Sequence, residues 1–335
     1  MNKLILIDGN AILHRAFHAM PPLTTRSGEP INAVYGLVSM FLRVIQDLKP
    51  DAIAVAFDEK EPTFRHKEFG EYQSQRPPTA DELSSQFEKA RDFFKAAKVP
   101  IYSMPGFEAD DVIGTIASEA IQSKQSLASQ SPGKRMKESK SISRKTSTLQ
   151  PSSSPALIDE VVIITGDRDI LQLVDDKKNI KLYMPVAGLT NARIFDEEAA
   201  RERMGVPADK IPDYKALVGD PSDNYPGVAG IGPKTAEKLL EKYDSIDHIY
   251  AHLPDIEPNI RQKLGAKKDD AKLFHRLATI VRNVPIEVNY EDMGKWKIDS
   301  PDVLNLFQKF GFKTLTERIK KVGKLVDQEK QMTLI

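Results

Sequence analysis

Three short apolar runs in this chain end in aspartate, and no other feature restricts the fold as strongly. Leu4-Ile5-Leu6-Ile7 stops at Asp8, the run from Ala52 to Phe57 stops at Asp58, and Val161-Val162-Ile163-Ile164 leads into Thr165-Gly166-Asp167-Arg168-Asp169. Runs of this length without polar alternation need cover on both faces. Separated by helical patterns, they predict buried parallel strands flanked by helices, an α/β fold with a mostly parallel central sheet. Each strand then delivers a carboxylate at its C-terminal end, the edge where open α/β sheets place ligands. A shorter run, Pro100 to Ser103, leads into Pro105-Gly106-Phe107-Glu108-Ala109-Asp110-Asp111. Apolar positions 109, 112, 113, 116, 117 and 120 predict a helix there, with Glu108, Asp110 and Asp111 in its first turn.

Taken singly, each acid has a structural explanation. Acids in a first helical turn suit the macrodipole, and an Asp after a strand is ordinary turn chemistry. Independent placements along one sheet edge do not reduce to that, because carboxylates sharing a cleft repel one another unless cations join them. The chain has no cysteine, which removes thiolate zinc sites, iron–sulfur ligation, cysteine nucleophiles and disulfides. Hard oxygen donors without His or Cys select Mg²⁺ or Mn²⁺. His14/His18 and His248/His252 are spaced i, i+4 but lack the glutamate of a zinc-protease helix, so packing or surface roles are expected for them.

A second acidic pair, Asp220 and Asp223, lies in Gly219-Asp220-Pro221-Ser222-Asp223-Asn224 and runs into Pro226-Gly227-Val228-Ala229-Gly230-Ile231-Gly232-Pro233-Lys234-Thr235. The Gly-Ile-Gly turn precedes an amphipathic helix, the form of a helix-hairpin-helix, whose exposed amides hold a phosphate without reading a base. It is not a Walker A loop, since Pro233 separates Gly232 from Lys234, and no strand precedes it as a dinucleotide fingerprint requires. A plain helix–turn–helix packing unit is the alternative.

Charge divides the chain unevenly. Lys+Arg and Asp+Glu both number 48, yet residues 122–158 carry seven basic residues against Glu138, with eleven serines and no aromatic ring. That segment predicts a disordered basic insert within a surface connection and leaves the remainder acidic. No stretch approaches a spanning helix and the N-terminal apolar run is too short for a signal peptide, so no membrane association is expected, and the chain reads as cytoplasmic.

Asp8-Gly9-Asn10, Arg15-Ala16-Phe17-His18-Ala19, Phe57-Asp58, Thr63-Phe64-Arg65, Glu108-Ala109-Asp110-Asp111, Thr165-Gly166-Asp167-Arg168-Asp169 and the run from Gly219 to Leu240 fall in the order seen in the 5′-nuclease domain of bacterial DNA polymerase I. The chain resembles that domain, and through it the flap endonucleases, over about residues 1–320 apart from the insert, with all nine acids of the pattern present.

The resemblance implies an enzyme, a 5′-3′ exonuclease and 5′-flap endonuclease that hydrolyses DNA at flaps, nicks and 5′ ends with two divalent ions, Mg²⁺ or Mn²⁺. It places Asp8, Asp58, Glu108 and Asp110 around one ion and Asp167, Asp169 and Asp220 around the other, with Asp111 and Asp223 acting through water. It implies an arch over residues 60–98 in which Arg65, Lys67 and Arg76 meet phosphates and Tyr72 stacks on a base, with Arg15 as a further DNA contact. Gly230, Gly232, Lys234 and Thr235 would bind duplex at the hairpin of residues 225–243, where K⁺ is a further candidate. The family's Tyr-Lys pair is Tyr72-Gln73 here, so Arg76 is expected to supply the missing charge or turnover to be slow. The expected organisation is a nuclease core over 1–190, a helical DNA-binding region over 191–320 and a flexible tail over 321–335. The tail's Gln331-Met332-Thr333-Leu334-Ile335 resembles peptides that bind the bacterial sliding clamp. The expected setting is a monomer at the bacterial nucleoid, in Okazaki-fragment processing and repair. A noncatalytic branched-DNA-binding module, or the nuclease piece of a polymerase, are the alternatives.

Overall fold

The computed structural model describes residues 2–128, 158–187 and 191–333. Strands β1 (Lys3–Asp8), β2 (Ala52–Ala56), β3 (Ile101–Tyr102), β4 (Glu160–Ile164), β5 (Ile180–Ala187) and β6 (Asn191–Phe195) form a six-stranded sheet in the order β3-β2-β1-β4-β5-β6. Pairings are parallel except that of β5 with β6. The chain steps outward from β1 to β3, then crosses back to β4 on the other side of β1. The order therefore reverses between β1 and β4, which opens a crevice at their C-terminal ends.

The apolar runs lack polar alternation because successive residues enter two different cores. Leu4, Leu6, Val161 and Ile163 face one, while Ile5, Ile7, Val162 and Ile164 face the other. The first core is closed by α5 (Ala109–Ala128), α6 (Glu197–Met204), α7 (Ile211–Val218), α8 (Pro233–Tyr243), α9 (Ile246–Ala251), α10 (Pro258–Ala266), α11 (Lys268–Ala278) and α12 (Tyr290–Met293). The second is closed by α1 (Gly9–Ala19), α2 (Asn32–Leu48), α4 (Asp81–Ala96), α13 (Pro301–Phe310) and α14 (Lys313–Thr333). A short helix, α3 (Phe64–Glu68), lies in the segment that crosses the sheet edge. Among the described residues no helix is long and apolar enough to cross a membrane.

Four boundaries differ from the sequence reading. The arch does not extend to residue 98, because Leu83, Ala90, Phe93 and Phe94 bury one face of α4 in the second core; the segment over the sheet edge is confined to about residues 59–80. Residues 122–128 of the expected insert continue α5, and Ile158 is buried, while 129–157 lie outside the described residues. The division at residue 190 fails at both ends. Strand β6 pairs into the sheet, and α13 and α14 return to pack Phe307, Leu315 and Ile319 against it.

The tail is helical rather than flexible as far as Thr333. Val322 is buried, Lys297 binds Asp327 at 2.5 Å, Lys49 binds Glu329 at 2.6 Å, and the Lys330 ammonium lies 4.2 Å from the Trp296 ring centroid. Each fully buried aliphatic side chain contributes about 1.5–3 kcal/mol, so Leu315, Ile319 and Val322 suffice to fasten a helix that polar composition alone would leave loose. Gln331 and Met332 sit exposed in its last turn, and Leu334 and Ile335 lie outside the described residues.

Candidate metal centre

The acidic edge is assembled by helix capping. Asp8 ends β1 and caps α1: its Oδ1 accepts the Ala11 N–H at 2.9 Å, and its Oδ2 accepts the Thr165 hydroxyl beyond β4 at 2.7 Å. Asp58 accepts the N–H of Ala109, the first residue of α5, at 2.7 Å. Asp167 accepts the Asp169 N–H at 2.9 Å. The structural and functional readings of these acids are therefore compatible, since the caps that start the helices also fix where the carboxylates stand.

Seven of the expected acids, Asp8, Asp58, Glu108, Asp110, Asp167, Asp169 and Asp223, line a single cleft of about 680 Å³ together with His14, His66, Gln73 and Arg76. Burial pushes the Asp8 and Glu108 carboxyls up to about 7 and that of Asp167 to about 6, with neighbouring carboxylates adding to the shift. Asp110 is raised well above the usual carboxylate range by burial and then by Asp167, Asp8 and Glu108. His14 and His66 are lowered, mainly by burial, and so face the cleft as neutral rings.

A second cluster adjoins this one. Asp169, Asp220 and Asp223 each offer an oxygen within 4.8 Å of the others. Lys215, buried on α7, ion-pairs with both Asp169 and Asp220. Burial would raise Asp220, but Lys215 and the Ser222 donors outweigh it and hold the carboxyl below its usual range. The loop from Gly219 to Val228 closes on itself through Asp220–Tyr225 backbone bonds of 2.8 and 3.1 Å. At Gly219 and Gly227, both at positive φ, a Cβ would collide with backbone, that of Tyr225 and Pro226 in the first case and that of Gly219 and the end of α7 in the second.

Residues 71–76 clasp that loop. Asp223 accepts from Arg76 at 2.8 Å and from the Gln73 amide at 3.0 Å, its backbone carbonyl accepts the Gln73 N–H at 3.0 Å, and Asn224 donates to the Glu71 carbonyl at 2.8 Å. Arg76 thus stands at the cleft, already engaged with an acid.

Two expected site residues lie outside the cleft, and a third lines it from a buried position. Arg65 is 2% exposed and meets Asp111 through two bonds of 2.7 and 2.9 Å, donating also to the Leu277 and Thr279 carbonyls at 2.8 and 3.0 Å. It is no phosphate contact, because its donors are committed inside the protein. Asp111 is fully buried, accepts the Val281 N–H at 2.8 Å as well, and does not line the cleft. Tyr72 lines the cleft but is 4% exposed, with its hydroxyl 3.4 Å from Glu108, too deeply buried to stack on a base. Lys67 is exposed, and Arg15 is half-buried against Gly166.

At the hairpin, Gly230, Gly232 and Lys234 are exposed and Thr235 half-buried, with Gly232 as the N-cap of α8. Sequence reasoning missed Lys215, because a lysine in a short helix reads as solvated and nothing local announces two distant carboxylates. It also missed His14 as a cleft residue, although its place in the second turn of α1, the helix that Asp8 caps, was a usable signal.

A carboxylate-lined cleft at the switch point of a parallel sheet, beside a helical hairpin, defines a hydrolase class that handles phosphodiesters with divalent cations. The family models for the 5′-3′ exonuclease N-terminal resolvase-like domain and the 5′-3′ exonuclease C-terminal SAM fold match residues 3–130 and 206–302. A 5′-3′ exonuclease of Aquifex aeolicus is 34% identical over 334 residues, covering all of both chains. The DNA polymerase I of Caldicellulosiruptor bescii is 39% identical over 317 residues, 95% of this chain and 33% of that one, so the chain spans about a third of such polymerases. The T5 5′-exonuclease with bound zinc shares the fold, with a TM-score of 0.59 and 20% identity over 97% of this chain and all of that one. The chain belongs to the 5′-3′ exonuclease family.

Proposed function

We propose that the cleft hydrolyses DNA phosphodiesters at 5′ flaps, nicks and 5′ ends, using divalent cations held at two adjoining places. The observation that carries this is the convergence of seven acids on one cleft, in which the carboxyls of Asp8, Glu108 and Asp110 are pushed toward neutrality. So many carboxylates do not all ionise at neutral pH unless cations compensate them, and an all-oxygen donor set suits Mg²⁺ or Mn²⁺. Asp8, Asp58, Glu108 and Asp110 would hold one ion; Asp167, Asp169 and Asp220 would hold the other, with Asp223 close enough to join them directly. Such ions, when bound, polarise the scissile phosphate and stabilise the leaving oxygen. Arg76 and Lys60 at the rim bring positive charge to the phosphate, and the neutral His14 and His66 offer hydrogen bonds without adding charge. Lys67, Arg15 and the hairpin residues Gly230, Gly232, Lys234 and Thr235 grip the backbone on either side.

Relatives support this reading: a T5 D15 flap endonuclease was crystallised with DNA and metal ions, and the catalytic core of Rad2 with a DNA substrate. The cellular role we assign is removal of 5′ flaps during lagging-strand processing and repair at the nucleoid. The test is cleavage of a 5′-flap duplex with Mg²⁺, with Mn²⁺ and with chelator. Metal-dependent release of a short 5′ product is expected; binding without cleavage in either metal would identify a noncatalytic branch-binding module instead.

A further inference from the structure

The family resemblance suggests K⁺ at the hairpin, and the residues present do not fit it. We propose that Lys263 is the hairpin's own monovalent cation: its ammonium takes the place of K⁺ on the Gly230 carbonyl and meets a phosphate of the duplex. Lys263 stands on the last turn of α10 and donates to the Gly230 carbonyl at 3.2 Å. Its Cε and Nζ both lie 3.0 Å from where a Cβ of Gly230 would be, so the side chain lies directly over this glycine, whose φ is +81°. The position is anchored, because the neighbouring Leu264 is fully buried and its carbonyl accepts the Tyr250 hydroxyl at 3.2 Å.

An ammonium has three donors, and one is spent on Gly230, which leaves two for a ligand. Among the described residues no carboxylate forms an ion pair with Lys263. The approach is open: Gly230 and Gly232 are exposed, and apart from Gly232 and its two chain neighbours no heavy atom lies within 4 Å of the Cβ position there. A cation fixed on a carbonyl, uncompensated and beside the N-terminus of α8, favours an anion; a free monovalent cation at the same carbonyl would face like-charge repulsion from the ammonium. The tethered cation also avoids the cost of recruiting an ion from solution each time DNA binds.

This inference rests on the hairpin being the duplex grip of the proposed function. The experiment is the affinity for a 5′-flap duplex with divalent ions chelated, in K⁺ and in choline at equal ionic strength, for the unmodified protein and for Lys263→Gln. The unmodified protein should bind equally in both salts. Lys263→Gln should bind roughly three- to tenfold more weakly in both, with a slope of log affinity against log salt shallower by about one. Loss of wild-type affinity when choline replaces K⁺ overturns the proposal without recourse to any variant. So does wild-type affinity and slope in a Lys263→Gln protein with unchanged melting temperature. Failure of the unmodified protein to bind the duplex in any salt would instead remove the duplex grip, and this proposal with it.

Discussion

The two ends of the cleft treat the same chemical group in opposite ways. At the β1, β2 and α5 end, Asp8 and Asp58 are held by backbone amides and a hydroxyl, and burial raises Asp8, Asp58, Glu108 and Asp110 alike. Arg65 comes within 3.3 Å of Glu108 but is committed to Asp111. At the α7 end, Lys215 bridges Asp169 and Asp220 and holds Asp220 below its usual range, and Arg76 sits on Asp223, although burial still raises Asp223 and Asp167. One end is starved of positive charge and must draw it from solution. The other is partly neutralised by the protein, so an incoming cation shares carboxylates that already have partners. The difference teaches that nine acids recognised as one set need not be equivalent: they differ in what they cost the fold before any ion arrives.

The most severe test of this contrast is Asp110→Asn. It removes a cation ligand at the charge-starved end, and cleavage should fall by at least about 10²–10³-fold, the range for loss of one well-placed electrostatic contributor. The same change removes a carboxylate that burial and four neighbouring acids all push toward neutrality, so the metal-free protein should melt higher. A lower metal-free melting temperature would break the contrast even if activity were lost.

Lys215→Met is the mirror experiment. Breaking a buried ion pair from one side costs roughly 3–5 kcal/mol, because the partner charges stay buried without compensation. The metal-free protein should therefore melt several degrees lower, and added Mg²⁺ should recover more stability in the variant than in the wild type. Equal shifts with and without Mg²⁺ would mean that Lys215 and the ion do not share these carboxylates.

pH tests the charge-starved end without mutation. Asp8 and Glu108 titrate at about 7 in the fold, against ordinary values of 3.8 for Asp and 4.5 for Glu. Their folded forms bind protons that the unfolded chain has released, so the stability they contribute is full below the unfolded values and is lost as pH rises through the folded ones. The metal-free protein should gain stability between about pH 8 and pH 6, and the stabilisation by Mg²⁺ should be larger at pH 8. Melting curves at the two pH values check both; a flat metal-free profile would contradict the charge-starved end.

Much of this was legible in the sequence where one short segment carried the whole signal. Runs such as Leu4–Ile7 and Val161–Ile164 could only be strands covered on both faces, and the acids at their ends had to share an edge. What failed to read were residues whose role depends on a partner far along the chain. Arg65 looks like an exposed phosphate contact until Asp111 and the carbonyls of Leu277 and Thr279 enclose it. Tyr72 looks like a stacking platform until Glu108 and the ring of His66 claim it. The helix at 313–333 has too polar a sequence to predict packing, yet one stripe of Leu315, Ile319 and Val322 meets the sheet-side core. A buried charge is a property of a pair, and a single segment shows only one member.

The mildest prediction concerns Gln73, where the family pattern has lysine. Its backbone is left-handed at φ 55°, and both its main-chain N–H and its side-chain amide point to Asp223 at 3.0 Å. The residue therefore holds the clasp over the already neutralised end of the cleft, and its polarity suffices for that. A reacting phosphate needs more than polarity, because charge develops on it as the bond breaks and a neutral amide offsets little of it. With Arg76 already resting on Asp223, an ammonium at position 73 would find that carboxylate engaged and remain available to the phosphate. Gln73→Lys should accordingly raise the single-turnover cleavage rate, by no more than about tenfold given how exposed the rim is, with melting temperature and flap affinity unchanged. An unaltered rate, together with strong impairment in Arg76→Ala, would show instead that Arg76 leaves Asp223 to serve the phosphate, and that the clasp opens when DNA enters.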